Sequence, residues 1–448
     1  MNTRRSIAII AAALIASVSL GAAGASAAPP TSTDATPVVH WNEIAANTLA
    51  ALPGPDGGAP PAYQINMAMT QGAVYDAVSA IGPKRYRPYL LTHRFGAKAS
   101  IEAAVATAAY DVLHALVTTA PEIAPFPGRA GLLAALDAQY AASVDPIAEN
   151  SFKKQGVSAG SAAADAMLQA RANDGRFGPS QWVRDPRPGH WSPLLNAMGQ
   201  EILDPTPWAG GVEPFLVESA SQFRSAPPLA LDSPQYAAEV NQVQMLGRAT
   251  GSTRTPAQTY VAQWWQWAPI LAWNEVARQL ITANKLGATD AARLLALQNL
   301  SGADALIACW ADKYHYDFWR PWNAIPRANE DGNNGTTAEP GWTALITAPY
   351  PEHPSGHNCN DGAHAAILRM FFGDVIAGGF RMTSTSTFLP TDAPRVRTFQ
   401  TFSQPLSELI DARIWAGLHF HHADVQGQLL GLNVAQYGSA HHLQPVGR

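Results

Sequence analysis

Charged residues and cysteines are scarce in this 448-residue chain. Asp, Glu, Lys and Arg make up 14% of it, their formal sum is −5, and Lys and Arg form no long run. The lack of a basic run argues against nucleic acid as a partner, because phosphate backbones are neutralised by clustered Lys and Arg. The HExxH sequence of many zinc hydrolases is also missing. Hydrophobic residues, by contrast, make up 47%, which predicts a globular enzyme with a substantial buried core.

Long apolar runs are missing after the N-terminus. Arg4 and Arg5 precede an apolar stretch over residues 7–20, and residues 25–27 (Ala-Ser-Ala) offer a small-residue cleavage site. This order is typical of a signal peptide, so we predict that residues 1–27 are one and that the protein is exported. A membrane anchor is the alternative, but the apolar stretch is short for a bilayer span. Twin-arginine export is a second alternative, and we predict no further membrane span.

Hydrophobic residues recur at three- and four-residue spacing along most of the remaining chain. This periodicity predicts helices and few strands; the helical stretches are 62–81, 99–119, 130–142, 162–172, 234–247, 256–286 and 290–313, with more after 362, before 411 and after 424. Residues 175–233 are rich in Pro, Gly and Trp and too long for a simple connector. We therefore predict an all-α protein with long Pro/Trp-rich loops, forming one large domain over residues 28–448.

A lysine and an arginine lie seven residues apart in the sequence KYHYDFWRP, which begins at Lys313. Seven residues are two helical turns, so we predict that Lys313 and Arg320 share one face of a helix ending near Pro321. The two cations can then converge on one anion, to which arginine offers a planar fork of donors and lysine a point charge. A solvated basic face is the alternative, but the surrounding aromatic residues favour a bound partner.

A turn sequence, Pro354-Ser355-Gly356-His357, precedes a second helical stretch over residues 360–372. Backbone N–H groups near the start of such a helix point toward an anion, and the Ser355 hydroxyl adds a donor. His357 would stand beside this anion as a proton donor or acceptor. Alone, the tetrapeptide is compatible with an ordinary structural turn.

Arg413 and His419 lie six residues apart in a third motif. Six residues do not share a helical face, so the two side chains meet one ligand only if the helix ends near Gly417. A neutral His419 nitrogen could then attack phosphorus or coordinate a metal oxyanion. His421 and His422 follow at once, and an ordinary polar helix terminus is the simpler interpretation of these two.

Together and in this order, the motifs K-x6-R-P, P-S-G-H and R-x5-H resemble the signature of the superfamily of vanadium-dependent haloperoxidases and type 2 phosphatidic acid phosphatases. The aromatic first motif, the sequence APYPEHPSGH and the long, loop-rich helical chain resemble the haloperoxidases more closely. The resemblance implies helical bundles of the vanadium haloperoxidase type, with the vanadate or phosphate site built from about residues 300–430. It also implies a vanadate cofactor, with hydrogen peroxide and a halide or a small organic molecule as substrates.

The resemblance further implies a role for each motif residue. His419 would be the axial vanadium ligand and His357 the acid–base group. Trp319 and Tyr350 would line the halide or substrate pocket. The oxyanion cradle would consist of Lys313, Arg320, Ser355, Gly356 and Arg413. Many family members have an acidic residue four positions after the ligating histidine, but that position is Ala423 here and Asp424 follows it, so the orientation of His419 stays open.

Two cysteines lie beside these motifs. Cys309 precedes Lys313 by one helical turn, and Cys359 follows His357 by two residues. Both are expected near the site, where they would form a disulfide in an oxidising compartment or remain two buried thiols.

Three other functions stay open from the sequence. The first is a phosphomonoesterase that acts through a phosphohistidine at the same cradle and needs no cofactor. The second is a non-catalytic exported protein that binds an oxyanion. The third is a zinc hydrolase with ligands among Glu352, His353, His357, His364 and the histidines at 419, 421 and 422, although Pro354 and Gly356 interrupt the helix that such a site needs.

Overall fold

Helices carry most of the chain in the computed structural model, which describes residues 34–121, 126–180 and 182–447. The predicted signal peptide, residues 1–27, lies outside the described residues. The described residues belong to one compact unit. In chain order their helices are α1 Thr36–Ala50, α2 Pro60–Ser79, α3 Ile101–Thr119, α4 Arg129–Val144, α5 Ser151–Ala170, α6 Pro234–Leu246, α7 Pro256–Trp264, α8 Pro269–Ala283, α9 Ala288–Tyr316, α10 Pro321–Ala324, α11 Gly356–Phe372, α12 Ser403–Trp415 and α13 His421–His441.

Helices α2 and α9 form the buried centre of the fold. Every residue of α2 from Pro61 to Ser79 is buried, and α9 is buried over most of its 29 residues. Helix α2 packs against α3, α5 and α9, and α9 also packs against α11 and α13. A helix that is buried on all sides needs neighbours all round. These two helices therefore connect the N-terminal helices to the group that carries the three motifs.

The predicted Pro/Trp-rich loop lies against α9. From residue 182 to residue 233 the chain is irregular apart from the 3₁₀ turn Pro207–Gly211. Asp304, fully buried in α9, accepts hydrogen bonds from the backbone N–H groups of residues 215–217 at 2.6 to 3.0 Å. Buried backbone N–H groups need partners, so a carboxylate of the central helix holds this loop where no regular structure does.

Two of the differences between the structure and the sequence prediction lie between α7 and α12. Residues 256–286 form two helices, because Ala268 is extended (φ −71°, ψ 115°) and Pro269 begins α8; the residue before a proline avoids the helical conformation. Among the described residues, the chain after α11 forms a two-stranded antiparallel sheet, β1 Val375–Thr383 and β2 Val396–Thr401. The fold is otherwise helical, which confirms the prediction of an all-α protein.

Two helices reach the length and hydropathy of a bilayer span, which by itself is weak evidence for one. They are α3 (Ile101–Thr119) and α9 (Ala288–Tyr316). The most apolar part of α9 is 94% buried inside the protein, and that of α3 is 61% buried. Their hydropathy is accounted for by their packing in the protein core.

Helices α11 and α13 pack closely at Gly431. A Cβ atom at this position would lie 2.2 Å from the carbonyl oxygen of Cys359 and 2.7 Å from the backbone nitrogen of Ala363. Both atoms belong to the backbone of α11, which cannot move aside like a flexible side chain. The absence of a side chain at residue 431 therefore sets the distance between the two helices, one of which begins in the PSGH motif.

We predict that Gly431→Ala lowers the free energy of unfolding by about 1–3 kcal/mol, the usual cost of forcing extra volume into a packed core. The measurement is urea denaturation of both proteins followed by circular dichroism. Gly131→Ala in α4 is the matched control, because a Cβ added at this glycine would meet no described atom within 4 Å and alanine is the better helix former. Equal stability of the two variants would contradict close packing at Gly431.

Candidate active site

Lys313 and Arg320 do not share a helical face, contrary to the sequence prediction. Helix α9 ends at Tyr316 because Asp317 adopts a left-handed conformation (φ 47°). The chain continues in an extended conformation to Arg320, which precedes the short helix α10. The two cations nevertheless converge, because both side chains bind backbone carbonyls of residues 350–354.

Lys313 uses its ammonium group to hold the segment before the PSGH turn. Nζ donates to the carbonyl oxygens of Pro351 and Glu352 at 3.0 Å and of Pro354 at 2.5 Å. An ammonium group has three N–H donors, and all three have partners here. Burial lowers the pKa of Lys313 to about 8. In this structure Lys313 thus supplies nearby positive charge and anchors the loop, while its donors serve the backbone.

Arg320 has one donor nitrogen without a partner among the described residues. Nε donates to the carbonyl oxygen of Tyr350 at 2.9 Å, and Nη1 donates to that of Leu418 at 2.7 Å and approaches His419 Nε2 at 3.0 Å. Nη2 is buried and has no partner among the described residues. Burial lowers the pKa of Arg320 to about 10. A buried donor without a partner is costly, so Nη2 is a point where a ligand acceptor would be stabilised.

Helix α12 places Arg413 at its C-terminal turn, as the sequence predicts. The helix ends at Trp415, and Gly417 follows with a φ of 75°, a conformation that glycine adopts without strain. Arg413 Nη1 donates to Gln266 Oε1 at 2.9 Å, and its buried Nε has no partner among the described residues. Burial lowers the pKa of Arg413. Because the helix ends before Gly417, the chain turns there and brings His419 back toward the same site.

The His419 ring is contacted on both nitrogens. Nδ1 lies 2.9 Å from Glu352 Oε1, and Nε2 lies 3.0 Å from Arg320 Nη1. Burial, reinforced by neighbouring cations that include Arg320, lowers the pKa of His419 well below its usual value. Burial also raises the pKa of Glu352 to about 8, although Arg320 and Lys313 act in the opposite direction. The imidazole is therefore neutral, with one unprotonated ring nitrogen.

Helix α11 begins earlier than predicted, at Gly356, with Ser355 as its N-cap residue. The first backbone N–H groups of the helix therefore belong to the PSGH turn itself. Ser355 Oγ accepts from Asn358 Nδ2 at 3.2 Å, and the same amide nitrogen lies 2.7 Å from Asp424 Oδ1. Asp424 thus supports the start of α11 and does not contact His419.

His357 lies in the first turn of α11 with an unsatisfied ring nitrogen. Its Nε2 is buried without a partner among the described residues. Burial lowers the pKa of His357 well below its usual value, and the nearby Arg413 lowers it further. The indole of Trp265 meets the ring edge-on at 6.2 Å. A neutral imidazole with a free nitrogen is able to exchange a proton with a bound substrate.

A cavity of about 60 Å³ connects several of these groups. His357, His419, Arg413, Gly356 and Tyr350 line it. About 10–15 Å³ of such volume holds one water, so the cavity has room for roughly four to six waters or an ion of similar size. The remaining lining is mostly apolar and comes from Pro60, Trp267, Pro269, Ile270, Leu306, Trp310 and Asn360.

Of the two residues assigned to a substrate pocket, Tyr350 lines the cavity and Trp319 does not. The Tyr350 ring lines the cavity and lies 5.3 Å from Lys313 Nζ and 5.2 Å from Arg320 Cζ. Trp319 is fully buried in a separate hydrophobic cluster. The aromatic walls that the sequence motifs missed are Trp267 and Trp310, because no local pattern shows which tryptophan faces a cavity.

The cysteines lie beside the site, and of the two alternatives that the sequence leaves open the structure has two thiols. Cys309 and Cys359 are both buried and free. Cys309 Sγ donates to the carbonyl oxygen of Pro354 at 3.7 Å. Burial raises the pKa of Cys359 well above its usual value, and its contact with Cys309 contributes. A buried neutral thiol is a weak nucleophile, which favours the alternative of two thiols packed between α9 and α11.

The side chains considered as zinc ligands contact other groups in the structure. His364 Nε2 contacts Gln64 Oε1 at 2.9 Å, and His353 Nε2 contacts the carbonyl oxygen of Ala226 at 2.8 Å. The described residues contain no group of three or more His, Cys, Asp or Glu side chains that could hold a metal ion.

A small oxyanion fits the donor set. Two buried guanidinium nitrogens, Arg320 Nη2 and Arg413 Nε, have no partner among the described residues. His357 Nε2 is in the same situation, and His419 adds a neutral nitrogen at the cavity wall. Guanidinium groups only donate, so the missing partner is an acceptor, and the charge of the two arginines favours an anionic one. Vanadate and phosphate both meet these requirements.

Comparisons with known proteins agree with this geometry. Residues 293–447, which contain all three motifs, match the family model described as the VCPO second helical-bundle domain. The vanadium chloroperoxidase of Curvularia inaequalis is 23% identical over 200 residues, which are 37% of this chain. The matched region spans only 32% of that relative's length.

Solved structures with a similar fold include two bacterial enzymes. A bacterial vanadium-dependent iodoperoxidase is 21% identical with a TM-score of 0.71, over 93% of this chain and 99% of that one. A holo-type bacterial vanadium-dependent chloroperoxidase is 17% identical with a TM-score of 0.67, over 89% and 95%.

The fold is therefore that of the vanadium haloperoxidases. Within it, residues 293–447 are similar to the VCPO second helical-bundle domain. The resemblance that the three sequence motifs show is confirmed.

Proposed function

We propose that this protein is a vanadate-dependent haloperoxidase that uses hydrogen peroxide to oxidise a halide to hypohalous acid. The observation that carries the proposal is the pair of buried guanidinium nitrogens, Arg320 Nη2 and Arg413 Nε, left without partners among the described residues beside the neutral ring of His419. An anion that also accepts a nitrogen ligand satisfies all three groups. The matched relatives, which are named for vanadium chloroperoxidase and iodoperoxidase activities, support this choice.

In this proposal, some residues of the site would bind the oxygens of the anion and one would bind the vanadium. Arg320 and Arg413 would donate to the oxygens of vanadate, with the N–H groups at the start of α11 completing the cradle. His419 would bind the vanadium through Nε2, which lies 3.0 Å from Arg320 Nη1 in this structure. Lys313 would contribute its charge while it holds residues 351–354 in place. Bound vanadate supplies a Lewis acid that activates peroxide without changing its own oxidation state.

His357 would handle the proton that the reaction consumes. Hydrogen peroxide, a halide ion and one proton give hypohalous acid and water; the halide loses two electrons and the peroxide O–O bond is cleaved. His357 lines the cavity and its Nε2 has no partner among the described residues. Burial lowers its pKa and keeps the ring neutral, so it would relay the consumed proton to the departing oxygen through its two ring nitrogens.

The apolar side of the cavity would receive the halide or a small organic substrate. Tyr350, Trp310 and Trp267 present aromatic surfaces there. Such a wall suits a weakly hydrated halide better than a strongly hydrated phosphate ester. The competing function is a phosphomonoesterase that forms a phosphohistidine at His419. It would use the same cradle, so an experiment must distinguish it from the haloperoxidase.

Loading with vanadate is expected to create peroxide-dependent bromide oxidation and to inhibit any phosphatase activity. The reason is that one cavity of about 60 Å³ holds one oxyanion at a time. The assay follows bromination of an organic acceptor at graded vanadate concentrations, with iodide and chloride in parallel, and repeats the series with added phosphate as competitor. A fast phosphomonoesterase that never oxidises a halide when loaded with vanadate would establish the hydrolase instead.

Substitutions of the two histidines are expected to have different effects. His419→Ala removes the ligand nitrogen and should abolish vanadate retention on gel filtration. His357→Ala should retain vanadate and lose turnover by about 10²–10⁴, the usual contribution of a general acid–base group. His421→Ala is the matched control, because this exposed histidine is two residues from His419 and does not line the cavity. Equal loss of vanadate from both site variants would contradict the separate roles.

We also propose that the chain is exported, on the strength of the N-terminal sequence. Secretion of the full-length chain from a bacterial host should yield protein whose mass corresponds to a start near Ala28, because residues 25–27 offer the cleavage site. Replacing Arg4 and Arg5 with lysine tests the route, since only twin-arginine export requires the arginine pair. Full-length protein retained inside the cell would contradict export.

A further inference from the structure

Glu352 contacts the ring of His419 on the side opposite Arg320. The distance from Glu352 Oε1 to His419 Nδ1 is 2.9 Å, and the two side chains are 1% and 2% exposed. The pair is thus shielded from water. Glu352 lies two residues before the PSGH motif and 67 residues before His419, so sequence spacing gives no sign of the contact.

The direction of this hydrogen bond follows from Arg320. A guanidinium group donates and cannot accept, so the His419 Nε2 atom that lies 3.0 Å from Arg320 Nη1 must be the accepting nitrogen. A neutral imidazole carries one proton, which must then sit on Nδ1. Glu352 Oε1 is consequently the acceptor, and it also accepts the backbone N–H of Phe420 at 3.0 Å.

The backbone of Glu352 is fixed on two further sides. Its N–H donates to the carbonyl oxygen of Phe318 at 2.9 Å, and its own carbonyl oxygen accepts from Lys313 Nζ at 3.0 Å. These two bonds tie Glu352 to the segment that carries Lys313 and Arg320, and its side chain ties it to the segment that carries His419. A carboxyl group held in this way can fix the orientation of the ring beside it.

No other acidic side chain of the described residues takes this position. Asp424, five residues after His419, is directed to Asn358, whose Nδ2 lies 2.7 Å from Asp424 Oδ1. Glu239, the other buried glutamate nearby, accepts the backbone N–H of His422 at 2.9 Å. The ring of His419 therefore depends on Glu352 for its Nδ1 partner.

We propose that Glu352 is the positioning residue of His419. Its carboxyl group holds the imidazole in the Nδ1–H tautomer and increases the basicity of Nε2, which strengthens that nitrogen as a ligand. Partners of this kind typically change metal affinity by about 10–100-fold. The part that concerns vanadate rests on the proposed function, whereas the tautomer does not.

The first test compares two anions in Glu352→Gln and Glu352→Leu. Vanadate affinity, measured by calorimetry, is expected to fall about 10-fold in the Gln variant and about 100-fold in the Leu variant. Phosphate affinity should stay within about 3-fold, because phosphate binding depends on the arginines. Equal losses for both anions would show a merely structural role and overturn the proposal, as would unchanged vanadate affinity.

The second test uses the ligand-free protein. Nitrogen-15 NMR of labelled histidines should show His419, assigned by its loss in His419→Ala, as the Nδ1–H tautomer, and its Nδ1 proton should move upfield in Glu352→Leu. Glu239→Gln is the matched control and should leave this signal unmoved and vanadate affinity within about 2-fold of wild type, well below the usual effect of a ligand's hydrogen-bond partner.

An Nε2–H tautomer in the wild type would overturn the proposal. Wild-type protein that shows the Nδ1–H signal but binds no vanadate would refute the haloperoxidase function and leave the positioning role intact.

Discussion

The burial of three cations near His419 is the constraint on which this structure depends. Lys313 and Arg320 are fully buried, and Arg413 is 6% exposed. An isolated charge in such a place is very costly unless it is hydrogen-bonded or paired. Carbonyl oxygens supply most of the compensation, from residues 350–354 and from Leu418. The loop before the PSGH turn is therefore shaped by the cations, and Arg320 Nη2 and Arg413 Nε are left without partners among the described residues.

The sequence was sufficient to predict the helical fold and the principal residues, because three short motifs bring cations, a turn and two histidines into one order. It failed where the outcome depends on a single backbone conformation or a distant contact. Lys313 and Arg320 were placed on one helix, whereas the left-handed Asp317 ends that helix between them. Trp319 was assigned to the pocket by its proximity to Arg320 in sequence, yet its side chain packs in a different hydrophobic cluster. Glu352 went unassigned as a partner of His419 because the two are 67 residues apart.

Two buried carboxyl groups serve different parts of the site. Glu352 faces the His419 ring, and Asp424 faces Asn358 at the start of α11. Burial raises the pKa of both, while neighbouring arginines oppose the shift. In each carboxyl desolvation outweighs the nearby cations. Separating the two tasks explains why an acidic residue is not needed at position 423: the loop before PSGH already provides the partner for the histidine.

The cavity also depends on residues outside the family match at 293–447. Pro60 from α2 and Trp267 and Ile270 around the start of α8 form part of its wall. Gln266, in the same connection, accepts the hydrogen bond of Arg413, and Gln64 of α2 contacts His364 in α11. The oxyanion cradle belongs to the C-terminal helices, but its apolar face and part of its support come from earlier ones. Under the proposed function, the cradle would determine which anion binds, and the earlier helices would shape the space left for a halide or an organic substrate. Selectivity among substrates would then be encoded largely outside the three motifs.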